Sequence, residues 1–222
     1  MNQRILHIAD LVKPGRIVAD IGTDHAQLPV WLVEQGLVPK AYACDVAAGP
    51  LSAAEELIHI HHLEDRITTI LSDGFDNVPK DAQTAVIAGM GFPTARTILE
   101  RAQDRLSSFS QIIVQVNNDT IPLRTWISEQ HYTIDDECLI FDKGFWYTAV
   151  SFTTRYHESY TEEEILIGPV LLKRNDELLQ EYAEHNISGI EEVMKKRSRQ
   201  DEKQRQLQKE LGIWKGIRKA QR

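Results

Sequence analysis

Two acidic residues follow separate apolar runs near the amino terminus, and their positions suit the binding of a nucleoside. Asp20 ends the run Ile17-Val18-Ala19 and opens the segment Asp20-Ile21-Gly22-Thr23-Asp24-His25, which leads into an apolar stretch of helical length. Asp45 ends a second strand-like run, 25 residues after Asp20. In open α/β folds, nucleotide-like ligands bind at the carboxyl ends of strands, and an acid about 20 residues after a glycine turn contacts the ribose. The spacing therefore predicts an adenosyl cofactor.

Each acid could contact a different part of that cofactor. Asp20 could hold the amino group of a methionine moiety or order its own loop, while Gly22 lets the backbone approach the ligand. Asp45 could accept from both ribose hydroxyls or cap the following helix. In Asp73-Gly74-Phe75, Asp73 could accept from an adenine amino group and Phe75 could cover the ring, although Asp-Gly also favours an ordinary turn.

Two further strand ends could face the cofactor or a target base. Gly89 and Met90 lie in the glycine-rich segment 88–92, which permits close approach of a ligand. Asn117 ends the run Gln115-Val116-Asn117-Asn118, and its amide could hydrogen-bond a base edge or cap the strand. The predicted cofactor contacts are Asp20, Gly22, Thr23, His25, Asp45, Asp73, Gly74, Phe75, Gly89 and Met90.

Strand-like and helix-like segments alternate through the first two thirds of the chain. Apolar spacing predicts helices at 5–12, 26–35, 48–61, 93–106 and 122–130, and strands at 16–20, 41–45, 67–71, 85–88 and 111–116. Successive βα units imply a parallel sheet with helices on both faces. Two more strands, 132–141 and 145–153, are joined by Asp142-Lys143-Gly144, which predicts a three-residue hairpin connection. A parallel sheet that ends in an antiparallel hairpin is the usual layout of Rossmann-like methyltransferases.

The sheet pattern stops after Tyr156, which divides the chain into predicted domains 1–156 and 157–222. Two apolar seams follow Gly168-Pro169 and predict two long helices in an antiparallel, coiled-coil-like hairpin. A single long helix or a frayed tail are the alternatives. The seams contain Leu172, Leu179, Ala183, Ile190 and Met194 in the first helix, and Leu207, Leu211, Trp214 and Ile217 in the second.

Charge is divided unevenly along the chain, whose formal net charge is −8. Residues 1–168 carry 12 basic and 24 acidic side chains, whereas residues from Lys195 onward carry 11 basic and 3 acidic ones. A basic tail on an acidic body suggests a polyanionic partner, and a solvated helix face is the alternative.

Other site classes find little support in the residues. The two cysteines form no disulfide or zinc pattern, and His59 and His62 share a helix face without further ligands, so we expect no metal. No apolar run approaches the length of a membrane span, and no signal-peptide core begins the chain. We therefore expect a cytoplasmic protein, without a membrane partner and acting as a monomer.

Several of these segments together resemble one bacterial enzyme family. The blocks 19–29, 73–75, 87–91 and 115–117 are similar to those of the tRNA (adenine-22-N1)-methyltransferase family, often called TrmK. The resemblance implies S-adenosylmethionine as cofactor, tRNA as substrate and a Rossmann-like domain followed by a coiled-coil-like domain that helps to hold the tRNA. The chain departs from the family at Phe92, where glycine is usual, at Val116, where proline is usual, and at Asp45, where glutamate is common.

The chemistry implied by the resemblance needs alignment more than a strong base. Adenine N1 bears a lone pair and no proton, so positioning of N1 against the methyl group supplies most of the catalysis. Asp24 is the predicted catalytic carboxylate, near the adenine 6-amino group, and Asn117 is predicted to orient the base. The alternatives are methylation of another nucleobase atom or a small molecule, and a non-catalytic RNA-binding protein with a vestigial pocket.

Overall fold

The computed structural model describes residues 2–117, 120–196 and 201–219, and the chain forms two compact units that meet between Ser159 and Tyr160. Asn118 of the predicted strand-end group and residues 197–200 of the polar tail lie outside the described residues. Among the described residues, no helix has the length and apolarity needed to cross a membrane.

The first unit is built on one seven-stranded sheet of order β3-β2-β1-β4-β5-β7-β6. Its strands are β1 (Val18–Ile21), β2 (Ala41–Asp45), β3 (Ile67–Leu71), β4 (Thr84–Met90), β5 (Gln111–Val116), β6 (Tyr132–Asp142) and β7 (Phe145–Tyr156). Its helices are α1 (Gln3–Leu11), α2 (Gln27–Glu34), α3 (Ala48–Ile60), α4 (Phe92–Arg101), α5 (Gln103–Leu106) and α6 (Ile121–Glu129). Strands β1 to β5 are parallel, and β7 joins β5 antiparallel. This order confirms the predicted Rossmann-like methyltransferase sheet.

The burial of the central strands explains why their sequences are nearly continuous apolar runs. Every residue of β1 and β5 is buried, because helices cover both faces of a parallel sheet. Strand β4 extends past its predicted end at residue 88 because Gly89, with φ +78°, forms a bulge between Ala88 and Met90. Because β4 is parallel to β1 and β1 to β2, the end of β4 lies at the edge where β1 and β2 also end.

The β6–β7 hairpin differs from its prediction in the loop. The connection has two residues, Lys143 and Gly144, both at positive φ (50° and 86°), while Asp142 pairs with Phe145 in the ladder. The three-residue connection was therefore wrong by one residue. Two successive positive φ values suit the right-handed twist of paired strands, and glycine adopts the second of them without strain.

The described residues of the second unit form four helices rather than the two that were predicted. They are α7 (Glu162–Ile167), α8 (Pro169–Arg174), α9 (Glu177–Lys196) and α10 (Glu202–Lys219). The predicted first long helix is split because Asn175 is left-handed (φ 44°) at the end of α8, and the side chain of Asp176 then accepts from the N–H of Leu179 to start α9. Helices α9 and α10 contact each other through Tyr182 and Trp214, with ring centroids 5.4 Å apart. Their coiled-coil-like pairing stays a prediction.

A buried ion pair fastens α6 to the hairpin. The Arg124 Nε donates to the Glu137 Oε1 at 2.7 Å, and the two side chains are 4% and 0% exposed. We expect Arg124→Met to lower the free energy of unfolding by about 3–5 kcal/mol, because the Glu137 carboxylate loses this guanidinium in a dry interior. Urea unfolding measures the change.

Two controls separate loss of the charge from loss of packing. The double variant Arg124→Met/Glu137→Leu should recover most of the lost stability, because it removes both charges of this pair together. Arg96→Met breaks the exposed Arg96–Glu100 pair and should change stability by less than about 1 kcal/mol. A double variant no more stable than Arg124→Met would contradict the electrostatic explanation.

Candidate cofactor and substrate site

Two adjoining hollows lie along the carboxyl ends of the parallel strands, and Gly22 lines both. One, of about 300 Å³, is bounded by α1 and the β1–α2 loop, and the other, of about 440 Å³, by the ends of β2 and β3 and by α4. We call them the inner hollow and the outer hollow. A Cβ at Gly22 would lie 3.1 Å from the Met90 Cε, and φ there is +78°, so a side chain at this shared position would be strained and would press on Met90.

Asp20 lies at the floor of the inner hollow, in a buried position. Its Oδ2 accepts from the Thr23 hydroxyl at 2.6 Å. The β1–α2 loop is held to β2 because the N–H groups of Gly22 and Thr23 both donate to the Cys44 carbonyl. Burial raises the pKa of Asp20 to about 6, the Thr23 hydrogen bond opposes the rise, and the nearby Asp45 adds to it. A cationic group beside this carboxylate would favour its charged form.

Asp24 and His25 form the rim of the inner hollow. Asp24 has φ +52°, its side chain is 75% exposed, and its Oδ1 lies 3.5 Å from the His25 Nε2. Asp24 does not cap the next helix, because α2 begins after Ala26 and no side chain caps it. Asp24 is therefore an exposed carboxylate held over the hollow by a left-handed backbone, a conformation that aspartate tolerates.

Asp45 borders the outer hollow at the end of β2. Its Oδ1 accepts from the Ala47 N–H at 2.9 Å in a local turn, and Asp45 is not the helix cap considered from the sequence, because Ala47 is the N-cap of α3 and no side chain caps that helix. Among the described residues, Oδ2 has no hydrogen-bond partner. The carboxylate is thus fixed by one oxygen and presents the other to the hollow.

The Asp73-Gly74-Phe75 segment meets its prediction only in part. Asp73 and Gly74 line the outer hollow, but the Phe75 ring is buried against Phe109 with centroids 5.3 Å apart. Phe75 does not line the outer hollow but borders a neighbouring one with Asp73, Gly74 and Arg101, so its contact with the adenine ring stays a prediction. An aromatic ring next to an Asp-Gly turn can face the core as readily as the solvent, and the free energy of burial favours the core.

Arg101 is a residue of the outer hollow that sequence reasoning missed. Its Nη1 donates to Asp73 at 2.5 Å and its Nη2 to Asp76 at 2.8 Å, so one guanidinium from α4 clamps both carboxylates beside the hollow. Its place in the last turn of an amphipathic helix gave no sign of this role.

Asn117 lies at the end of β5, where its amide is already engaged. Its Nδ2 donates to the Gly89 carbonyl at 2.6 Å and its Oδ1 accepts from the Arg4 Nη1 at 3.1 Å. The Gln115 Oε1 also accepts from the Gly89 N–H at 3.1 Å, so two side chains of β5 hold the bulge of β4. Arg4 of α1, which also contacts this group, is the second site residue that sequence reasoning missed. The apolar spacing of α1 indicated that the helix packs on the fold, but it gave no sign of a role for Arg4.

The comparisons with known proteins bear on this geometry. The family model for tRNA (adenine(22)-N(1))-methyltransferase matches residues 18–216. The chain belongs to this family. The family predicted from the sequence is thus confirmed, and the match covers both compact units.

Relatives of the family cover nearly the whole chain. The chain is 26% identical over 215 residues to the tRNA (adenine(22)-N(1))-methyltransferase of Bacillus subtilis (strain 168), covering 92% of this chain and 90% of the relative. A Streptococcus pneumoniae structure, assigned as a tRNA (m1A22) methyltransferase in complex with S-adenosyl-L-methionine, has a TM-score of 0.85 and 25% identity over 98% of this chain and 99% of its own. The M. capricolum TrmK structure with S-adenosyl-homocysteine has a TM-score of 0.83 and 27% identity, covering 98% of each chain.

Within the described part of the chain, no group of three or more His, Cys, Asp or Glu side chains could hold a metal ion. Positioning by carboxylates, amides and backbone is the chemistry that the two hollows offer.

Because the Asp20 carboxylate is buried, we expect that removal of its charge increases the stability of the folded state. Its folded-state pKa of about 6 lies above the ordinary 3.8, so the charged carboxylate opposes folding above pH 6 and the opposition fades as the pH falls through 6 towards 4. We expect Asp20→Asn to raise the free energy of unfolding at pH 7.5 by up to about 3 kcal/mol, with the gain shrinking towards pH 4. Urea unfolding across this pH range measures it.

The control is Asp24→Asn, which neutralises an exposed carboxylate four residues along the chain and should leave stability nearly unchanged. If Asp20→Asn gave the same small change as Asp24→Asn, the buried charge of Asp20 would not oppose folding.

Proposed function

We propose that this chain transfers a methyl group from S-adenosylmethionine to N1 of adenine 22 in tRNA. The observation that carries the proposal is the arrangement of Asp20 and Asp45 in two hollows that Gly22 lines on both sides, in a chain that belongs to the tRNA (adenine(22)-N(1))-methyltransferase family. The two bound relatives support S-adenosylmethionine as the methyl donor. The proposal places the reaction in the cytoplasm. It assigns the reaction to a single chain, because one chain supplies every residue that is given a role below.

The carboxylates suit a cationic, hydroxyl-bearing cofactor. Asp20 would hold the ammonium group of the methionine moiety in the inner hollow, which would restore the charged form that burial disfavours. The free Oδ2 of Asp45 would accept from the ribose, and Asp73, clamped by Arg101, would accept from the adenine amino group in the outer hollow. Thr23, His25, Gly74, Gly89 and Met90 complete the proposed cofactor contacts.

The proposed chemistry relies on placement of the target base at the rim. S-adenosylmethionine supplies, when bound, a methyl group on a cationic sulfur. Asp24 faces the rim and would stabilise the positive charge that develops on the adenine ring. Asn117 holds Gly89, and its Oδ1, which now accepts from Arg4, would accept from the adenine 6-amino group once Arg4 turns towards a substrate phosphate. The target adenine must be unpaired or flipped to reach this position, because base pairing blocks N1.

The predicted domain 157–222, which contains the second unit, is proposed as the RNA-binding domain. The region from Lys195 onward has an excess of 8 positive charges, whereas residues 1–168 have an excess of 12 negative ones. Long-range attraction to a phosphate backbone therefore has to come from the second unit.

A matched pair of variants separates cofactor binding from methyl transfer. Asp45→Asn keeps the acceptor for the Ala47 N–H but replaces the free acceptor by a donor, so we expect S-adenosylmethionine affinity to fall by about 1.5–3 kcal/mol. Asp24→Asn keeps a residue that tolerates the left-handed backbone, so we expect unchanged cofactor affinity and the loss of most single-turnover methylation of tRNA. Calorimetry and nucleoside analysis of the product measure the two effects.

Two results would refute these roles. Unchanged calorimetric affinity in Asp45→Asn would remove Asp45 from the cofactor site, and near-normal turnover in Asp24→Asn would leave that carboxylate without a catalytic role. Failure of the unaltered chain to methylate tRNA at adenine 22 would refute the proposed function itself.

Salt dependence tests the role of the second unit. Lys203 and Arg205 are exposed on α10, and we expect Lys203→Gln/Arg205→Gln to flatten the slope of log affinity for tRNA against log salt by about 0.7–0.9 for each phosphate that the variant no longer binds. The control is Lys80→Gln, an exposed cation in the loop that precedes β4, which should leave the slope unchanged. Equal slopes in all three proteins would contradict phosphate binding by α10.

A further inference from the structure

The tip of the β6–β7 hairpin projects at the same edge of the sheet as the two hollows. Strand β7 runs antiparallel to β5, and Thr148 pairs with Val116, the last residue of β5. Residues 145–147 therefore extend past the end of β5, at the edge where β1, β2 and β4 also end. The tight Lys143-Gly144 loop holds the two strands together up to the tip.

This tip exposes aromatic rings that a folded domain normally buries. Phe145 is 66% exposed and Phe141 is 53% exposed, while the ring of Phe141 packs on Trp146 with centroids 4.9 Å apart. Large apolar side chains grouped at an exposed position mark interaction surfaces. The adjacent Asp142 and Lys143 carry opposite charges, so the tip offers ring faces rather than a net charge.

One face of the hairpin connects the tip to the substrate rim. The guanidinium of Arg4 lies 5.6 Å from the ring centroid of Tyr147 and also donates to Asn117. Phe145 and Tyr147 are two residues apart on one strand, so they share that face. Strand β7 is two places from β4 in the sheet, which is about 10 Å, and Phe145 lies three residues beyond Thr148, about 10 Å further along the strand. The tip and the Gly89 bulge are therefore about 14 Å apart, a distance spanned by a nucleotide close to the target.

We propose that Phe145 stacks on a base that flanks the target adenine, and that the hairpin tip thereby holds the tRNA open at the target. The occupant is RNA because this surface continues the rim where the target base must be presented, and because Arg4 supplies a cation beside it. The inference rests on the proposed function. Aromatic side chains that stack on unpaired bases are a common means of RNA recognition, since every base has a face.

Substitution of the ring tests the stacking role. We expect Phe145→Ala to raise the KM for tRNA by about 5- to 150-fold, with kcat, cofactor affinity and thermal stability nearly unchanged. Phe145→Leu, which keeps an apolar side chain without a ring, should behave like Phe145→Ala, and Phe145→Trp should restore binding. The matched control is Tyr156→Ala, because Tyr156 is 75% exposed at the other end of the same strand.

A second arm identifies the base. In a tRNA with an abasic nucleotide beside the target, the unaltered chain should lose the same affinity that Phe145→Ala loses on intact tRNA, and the variant should lose little more. If the affinity lost on Phe145→Ala and the affinity lost on removal of the base added fully at each flanking position, the inference would be overturned.

Other outcomes are equally decisive. An unaltered KM in Phe145→Ala, in a preparation whose parent chain methylates adenine 22, would overturn the stacking role alone. Light scattering that showed a dimer of the parent chain and a monomer of Phe145→Ala, with equal tRNA affinity, would assign the tip to self-association. Absence of methylation by the parent chain would overturn the proposed function instead.

Discussion

The site depends on a carboxylate that the fold buries at the end of its central strand. Asp20 is fixed there by Thr23, and the loop that carries both is tied to the Cys44 carbonyl of the neighbouring strand. Burial of this charge opposes folding, as its raised pKa records. A cationic ligand beside Asp20 would relieve that opposition, so the free energy stored at the floor of the inner hollow would favour ligand binding.

The second constraint is the bulge that ends β4. Gly89 takes a backbone conformation that few residues adopt, and its N–H and carbonyl are held by Gln115 and Asn117. These bonds satisfy backbone groups that the bulge removes from the ladder. Asn117 also receives Arg4, so α1, β4 and β5 share one hydrogen-bonded group at the rim. The placement of the proposed base-binding residues is therefore a property of the sheet and not of a loose loop.

The sequence predicted what depends on local pattern and missed what depends on distant contacts. The alternating strands and helices followed from apolar periodicity, and the acids at strand ends followed from chain order. Arg4 and Arg101 could not be found this way, because their partners lie 113 and 28 residues away. The burial of the Phe75 ring was not predicted because local pattern does not say which face of a turn is buried. The break at Asn175 was missed because the apolar seam continues past a single left-handed residue.

The acidity of the first unit poses a physical problem that the rest of the chain has to resolve. Asp20, Asp45 and Asp73 suit a cationic cofactor, yet the same charges repel a phosphate backbone. Replacement of these carboxylates by basic side chains would weaken cofactor binding. Attraction for RNA therefore has to come from charged groups far from the cofactor site or from groups without charge. The basic tail supplies the first kind, and exposed rings such as Phe145 supply the second, because stacking on a base is not opposed by the surrounding carboxylates.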